Sequence, residues 1–358
     1  MSKSRGKYQA VTPEFGRCLP EAGRILVVDI AGLGDLVHAL PALWSIRCAF
    51  PRAQLHCIAN ANWAALLRLT PWIDRVWSYA EREKSIQASD FAQAWRIRAE
   101  RFDVSINLMG SNRSCIIGRL SGARYRLGRK PFEEHRPGWR LLNTHVMESP
   151  YRSEPRYLQK WKCLQQAGIA GADPEFVIEP ALVAPPADLV GGVSYLHVSP
   201  YASAPQKELP PAQMAELLEA LAREFPQQRL VVSCAPLARE IAALQDLLAR
   251  LPFRPWRVYP GILDAAELFR VIQGAAAHLG GDTGSLHLAW LAGTPAVCWS
   301  AGGLCEWVPE QATVSCLTTA LPRVDYLRGI ETGAVVAAAR SLLESQQPSA
   351  ALPIRLTA

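Results

Sequence analysis

Continuous apolar runs alternate along this chain with stretches whose apolar residues recur at helical spacing. Arg24–Ile30 reads as a strand buried on both faces, because its apolar run is unbroken. The turn Ala31-Gly32-Leu33-Gly34-Asp35 then leads into a helix carrying Leu36, Leu40, Leu43 and Ile46, with Pro41 as a kink in its early part. Strands follow over 55–59, 74–79 and 103–109, separated by helices over 63–69 and 89–101. A Pro- and Gly-rich stretch over 179–192 reads as a linker. A second series then begins, with strands over 195–199, 230–234, 257–259 and 296–300. Its helices are expected over 211–224, 237–251 and 264–276, with another over 330–344. Strands that alternate with helices predict an α/β fold with parallel, doubly wound sheets.

The length of 358 residues suits two domains. We place them at 24–180 and 191–358, behind a loose N-terminal tail over 1–23. That tail is basic and has no apolar core, so it reads as neither a signal peptide nor an anchor. Apolar runs of about 18 residues, the length a membrane span needs, are missing. Nine cysteines without C-x-x-C spacing suit reduced thiols and a cytoplasmic protein. The sequence shows no zinc-ligand spacing and no D-x-D pair, so neither metal nor cofactor is expected.

The formal charge of +6 is local. Between Arg113 and Arg140 lie eight basic residues, among them Arg119, Arg124, Arg126, Arg129 and Lys130, against Glu133 and Glu134. That segment alone carries the whole excess. It reads either as a solvated basic loop or as the seat of an anionic partner: an acidic sugar, a phospholipid surface or a nucleic acid.

The richest local pattern is Gly280-Gly281-Asp282-Thr283-Gly284-Ser285-Leu286-His287, which reads as strand, glycine turn and helix start. A helix N-terminus flanked by small residues is a natural phosphate seat. A carboxylate beside phosphate makes sense if Asp282 binds a neighbouring group such as sugar hydroxyls. The alternative is an ordinary capped helix. His287 falls either on the site face or in the core. Asp35, at the end of the first strand, reads as a helix cap or as a general base. His38, three residues on, shares the ambiguity of His287: a buried histidine or a ligand contact. Lys207, in the loop after Ser199, is a surface lysine or a partner for a diphosphate.

Taken together, these segments resemble glycosyltransferase family 9, the heptosyltransferases of lipopolysaccharide assembly. The resemblance runs from about residue 24 to 345. It rests on Arg24–Val28 with Gly32-Leu33-Gly34-Asp35, on Leu40–Leu43, Phe102–Asn107 and Ser121–Arg124, on Pro200…Lys207…Pro210, and on Gly281–Ala289 with Gly293-Thr294-Pro295. Two places depart from the family pattern: Leu209 stands where a tryptophan is usual, and Ser300-Ala301-Gly302-Gly303 replaces a Gly-Pro-Thr run.

The resemblance implies a GT-B fold, two Rossmann-like domains facing across a cleft. It implies inverting, metal-independent transfer of heptose from ADP-heptose to an anionic Kdo–lipid A type acceptor. Asp35 is then the general base. Ser199, Lys207, Asp282, Thr283, Gly284, Ser285 and His287 are donor-binding candidates in the second domain. Gly34, His38, Arg113, Arg124 and Arg129 are acceptor-binding candidates in the first. A glycolipid acceptor also implies peripheral contact with the inner face of the inner membrane, and no nucleic-acid partner. Other readings are a family transferase with another donor sugar or acceptor, a nucleotide-sugar epimerase, and a non-catalytic nucleotide-sugar-binding protein.

Overall fold

In a computed structural model, the first sheet is built from β1 (Gln9–Ala10), β2 (Arg24–Asp29), β3 (Gln54–Asn60), β4 (Arg75–Tyr79), β5 (Val104–Asn107), β6 (Tyr125–Arg129) and β7 (His145–Met147). The structure describes residues 9–80, 88–130, 141–149, 154–189, 192–302, 307–309, 313–319, 327–345 and 354–356. The sheet order is β1-β7-β6-β5-β2-β3-β4, and every pair is parallel. Ile25, Leu26, Val27 and Val28 are all buried, as a central parallel strand with both faces covered requires.

The next strands are β8 (Phe176–Ile178), β9 (Tyr195–Ser199), β10 (Arg229–Cys234), β11 (Arg257–Pro260), β12 (Ala277–Gly281), β13 (Ala296–Ser300), β14 (Val314–Thr318) and β15 (Ile354–Leu356). The second sheet runs β11-β10-β9-β12-β13-β14, again all parallel. With the edge strand β1 set aside, each sheet has the doubly wound order in which its first strand lies in the middle and its fourth lies beside it. Chain crossovers leave that central pair in opposite directions, which opens a crevice at the carboxyl ends of the two strands. The central pairs are β2 with β5, and β9 with β12.

The chain divides into two units, residues 1–179 with 353–358, and residues 180–352. The last residues therefore do not stay with the second series, as a domain over 191–358 requires. Strand β15 pairs with β8 in the first unit. A three-residue strand after a helix carries no periodicity of its own, so only its partner reveals it.

The N-terminal tail is also not loose throughout 1–23. Strand β1 pairs with β7, and the Gly16 amide donates to the Ala167 carbonyl at 2.8 Å. Phe15 is buried, with its ring edge-on to Tyr125 at 5.6 Å. A two-residue strand held by another element's backbone leaves no hydrophobic pattern in the sequence.

The expected kinked helix after β2 is two helices, Leu33–Val37 and Leu40–Ala49. Pro41 lacks an N–H for the Val37 carbonyl, and it sits in the first turn of the second helix, where none is needed. Helix 211–224 begins at Pro211 in the same way. Helix 265–273 starts from a capping box between Asp264 and Glu267. Gly293, at φ +71°, ends the turn after helix 284–291 in the left-handed region that glycine tolerates best.

Candidate functional site

In the second unit, the loop after β9 and the turn after β12 meet at the carboxyl edge of the central strand pair. Lys207 Nζ lies 3.2 Å from Asp282 Oδ2 and 3.4 Å from the Asp282 carbonyl oxygen. The pair is part-buried, at 34% and 16% side-chain exposure, so both groups remain open to a ligand. A small concavity there is lined by Gln206, Lys207, Asp282, Trp299, Ser300, Ala301 and Leu327.

The glycines of the turn have a specific steric reason. A Cβ on Gly281 would lie 2.9 Å from the Lys207 carbonyl oxygen and 3.2 Å from Trp299 Nε1. A Cβ on Gly280 would lie 2.9 Å from His278 Nε2. Gly281 thus lets the Lys207 loop close onto the turn, which is what brings ammonium and carboxylate together.

Helix 284–291 begins directly after Asp282, with Thr283 as N-cap and no side-chain cap hydrogen bond. The Thr283 hydroxyl and the Ser285 hydroxyl are 2.9 Å apart, bonded to each other. The Leu286 amide donates to the Thr283 carbonyl at 3.2 Å, and with no side-chain cap the Gly284 and Ser285 N–H groups are the ones left for an anion beside Lys207. Gly284 opens the helix without a side chain in the way.

Other donor candidates take different places. Ser199 is buried at the end of β9, in register with Gly280. His287 is buried, and its Nδ1 accepts from Trp290 Nε1 at 3.2 Å. The structure therefore puts His287 inside the helix packing rather than in the Lys207–Asp282 concavity. Leu209, in place of the usual tryptophan, is buried in the core of the second unit.

Two residues that the sequence reading passed over shape this site. The Glu208 carboxylate accepts from the Ala202 amide at 2.9 Å and from Arg239 Nη2 at 2.8 Å, and so ties the 200–208 loop to its own base. Trp299 is fully buried and lines the concavity, and its Nε1–H has no hydrogen-bond partner among the described residues. A carboxylate directly after the lysine is the one sequence signal that pointed to Glu208. Trp299 gives no signal, because an apolar strand hides which neighbour its indole meets.

The first unit repeats the placement. Asp35 follows β2, the central strand, at the third position of helix 33–37, whose N-cap is Gly32. Its carboxylate accepts no hydrogen bond among the described residues and is half-buried, so Asp35 does not cap the helix. A carboxylate in the first turn is favoured by the helix dipole while its oxygens stay open to chemistry. Behind it, Lys160 Nζ donates to the Asp35 backbone oxygen and to Asp29 Oδ2, both at 2.6 Å. Asp29 and Lys160 are almost wholly buried, and burial pushes the Asp29 carboxyl upward against the pull of the Lys160 charge.

Acceptor candidates divide by exposure. Gly34 lies in the helix beside Asp35, where its carbonyl accepts from the His38 amide at 3.0 Å. His38 is fully buried, withdrawn from the surface where an acceptor contact was expected. Arg113 and Arg124 are exposed, and the Arg124 guanidinium stands 5.2 Å from the Tyr125 ring centroid. Arg129 departs from the expected basic surface. It is buried at the end of β6 and donates to Ser149 Oγ and Gln159 Oε1, each at 2.8 Å. Alternation along β6 turns its side chain inward, where neutral acceptors hold it. Arg136 and Arg140, from the same basic segment, and Gly303, from the departing loop, lie outside the described residues.

Among the described residues, no group of three or more His, Cys, Asp or Glu side chains is placed to hold a metal ion. No helix among them is long and apolar enough to cross a membrane.

Residues 91–298 match the family described as glycosyltransferase family 9 (heptosyltransferase). Lipopolysaccharide heptosyltransferase 3 of Escherichia coli is 22% identical over 347 residues, which span 89% of this chain and 99% of that one. A glycosyl transferase family 9 structure from Veillonella parvula has a TM-score of 0.74 at 18% identity, covering 90% of this chain and 98% of its own. The Escherichia coli ADP-heptose lipopolysaccharide heptosyltransferase II structure has a TM-score of 0.71 at 18% identity, covering 90% and 99%. At such identities the structural likeness speaks for the fold, two parallel α/β units of the GT-B class.

Proposed function

The chain belongs to glycosyltransferase family 9, and from that premise we propose that it moves heptose from ADP-heptose to an anionic acceptor of the lipopolysaccharide core. The observation that carries this reading is the Lys207–Asp282 pair beside the uncapped start of helix 284–291. One cation, one carboxylate and the uncapped Gly284 and Ser285 N–H groups at a topological switch point suit a sugar joined to a diphosphate. The second unit is then the donor-binding domain. Asp282 takes donor-sugar hydroxyls, while Lys207 and the N–H groups near Gly284 take the diphosphate.

In the reaction, an acceptor hydroxyl oxygen attacks the anomeric carbon from the side opposite the leaving group. The new C–O bond forms as the bond from that carbon to the diphosphate oxygen breaks, and ADP leaves with the bonding electrons. Positive charge grows on the sugar ring and negative charge on the diphosphate. Lys207 and the helix N-terminus oppose the latter without a metal ion. Asp35 takes the proton that the acceptor oxygen releases, and its uncommitted oxygens leave it able to do so. The configuration at carbon inverts because one displacement occurs.

The first unit is the acceptor-binding domain in this reading. The exposed Arg113 and Arg124 offer charge to phosphorylated, acidic sugars, and the same charge suits peripheral contact with the inner face of the inner membrane. Such contact is salt-sensitive because it rests on exposed arginines.

Calorimetric titration with ADP-heptose, ADP, and UDP- and GDP-sugars tests the donor. Selective binding of ADP-heptose is expected. Selective binding of another nucleotide sugar overturns the heptose assignment. Conversion of the donor without any acceptor present marks an epimerase instead.

A further inference from the structure

We propose that Lys160 is a positioning residue for turnover: its buried ammonium fixes the backbone of Asp35 and thereby aims the Asp35 carboxylate. This inference rests on the reading of Asp35 as the general base.

The need for such a fixture follows from the broken helix. Helix 33–37 is only five residues long, and its N-cap is a glycine with no capping side chain. In a continuous helix the Asp35 carbonyl would accept from the Ala39 amide. Here the Ala39 amide donates to the Leu36 carbonyl at 3.0 Å, as the chain tightens before the next helix starts at Leu40. Lys160 Nζ, from helix 156–166, takes the Asp35 carbonyl at 2.6 Å. The backbone of the residue that must aim is therefore held by a side chain 125 positions away in sequence.

An ammonium at 3% exposure is costly to desolvate, and a neutral donor would satisfy a carbonyl more cheaply. The charge is held by Asp29, the last residue of β2, at 2.6 Å. One ammonium thus joins the end of the central strand, the short helix and helix 156–166. A cation near the carbonyl end of a short helix also complements its dipole. General base catalysis depends on placement within fractions of an ångström, so a slackened Asp35 turn acts on turnover and not on donor binding.

Removing Lys160 alone strands the buried Asp29 carboxylate, so the test uses a neutral background. Asp29→Asn/Lys160→Met removes both charges and the bond to Asp35. Asp29→Asn/Lys160→Gln also removes both charges but keeps an amide donor. Folding is checked by thermal unfolding, donor affinity by titration with the nucleotide sugar, and kcat with donor and acceptor saturating.

The Met variant is expected to lose about 100-fold in kcat with donor affinity unchanged, and the Gln variant to recover part of that loss. Equal kcat in folded Met and Gln variants overturns the proposal, as does equal loss of kcat and donor affinity. Asp35→Asn is measured alongside. If it turns over normally, the base reading itself falls. If it is inactive while the Met variant turns over like the parent protein, only the role of Lys160 falls.

Discussion

Lys207 and Asp282, 75 residues apart, meet at 3.2 Å because β9 and β12 are neighbours in the second sheet and Gly281 lets their following loops close together. Part-exposed pairs of this kind contribute only about 0–1 kcal/mol to stability. The pair is better explained by what its open groups bind. Lys207→Ala is expected to leave the melting temperature almost unchanged. It should weaken nucleotide-sugar binding by roughly 10–100-fold, the loss of one hydrogen bond to a charged group. Calorimetry reads both the affinity and the selectivity, and an unchanged affinity would remove Lys207 from the donor site.

Asp35→Asn should separate chemistry from binding. The carboxylate accepts no hydrogen bond among the described residues, so its loss does little to folding. Turnover is expected to fall by about 10²–10⁴-fold, the range for a lost general base, with donor affinity unchanged. Rapid-quench measurement of a single turnover checks that the loss lies in the transfer step.

The arginines of the basic segment should behave as two groups. Arg113→Ala and Arg124→Ala remove exposed charges, with stability effects within about 0.5 kcal/mol. Their acceptor KM should rise several-fold at low salt, and the difference from the parent protein should shrink as salt is added. Arg129→Ala, by contrast, leaves a buried acceptor on Gln159 and a half-buried one on Ser149 without their donor and is expected to destabilise by about 3 kcal/mol. Denaturant unfolding together with steady-state kinetics across a salt series distinguishes the two.

The middle of the second sheet carries a pH dependence. His197 Nδ1 and His278 Nδ1 are 2.9 Å apart, and His197 Nε2 is 2.9 Å from Ser233 Oγ. Both rings are fully buried, which drives His197 well below the usual imidazole value and His278 down to about 3. Below pH 6.5 the unfolded chain binds protons that these folded histidines refuse. Stability is therefore full above about pH 6.5 and declines as pH falls toward 3, by about 1.4 kcal/mol per pH unit for each histidine. His278→Asn removes one titrating ring, so its denaturant-unfolding free energy should fall less steeply between pH 7 and 5 than that of the parent protein.

Much of this protein follows from its sequence alone. Runs such as Ile25–Val28 and Ala296–Trp299 are apolar throughout because both faces of a parallel strand are covered, and that burial is a property of the strand itself. Glycine turns and alternating elements likewise mark Asp35, Lys207 and Asp282 as residues of the segments that follow strands, and together they carry the family resemblance.

Tertiary structure decided what depends on a partner far along the chain. The pairing of β1 with β7 and of β15 with β8 rests on backbone groups, which leave no side-chain pattern. Whether Asp35 capped its helix or kept its oxygens open could not be read from residue type, since both states use the same carboxylate. Arg113 and Arg129 have the same charge and chemistry in one basic segment. Helix and strand geometry turned one outward and the other into contact with Gln159. Lys160 had no sequence signal at all, because its role is set by a broken helix and a buried Asp29 more than a hundred residues away.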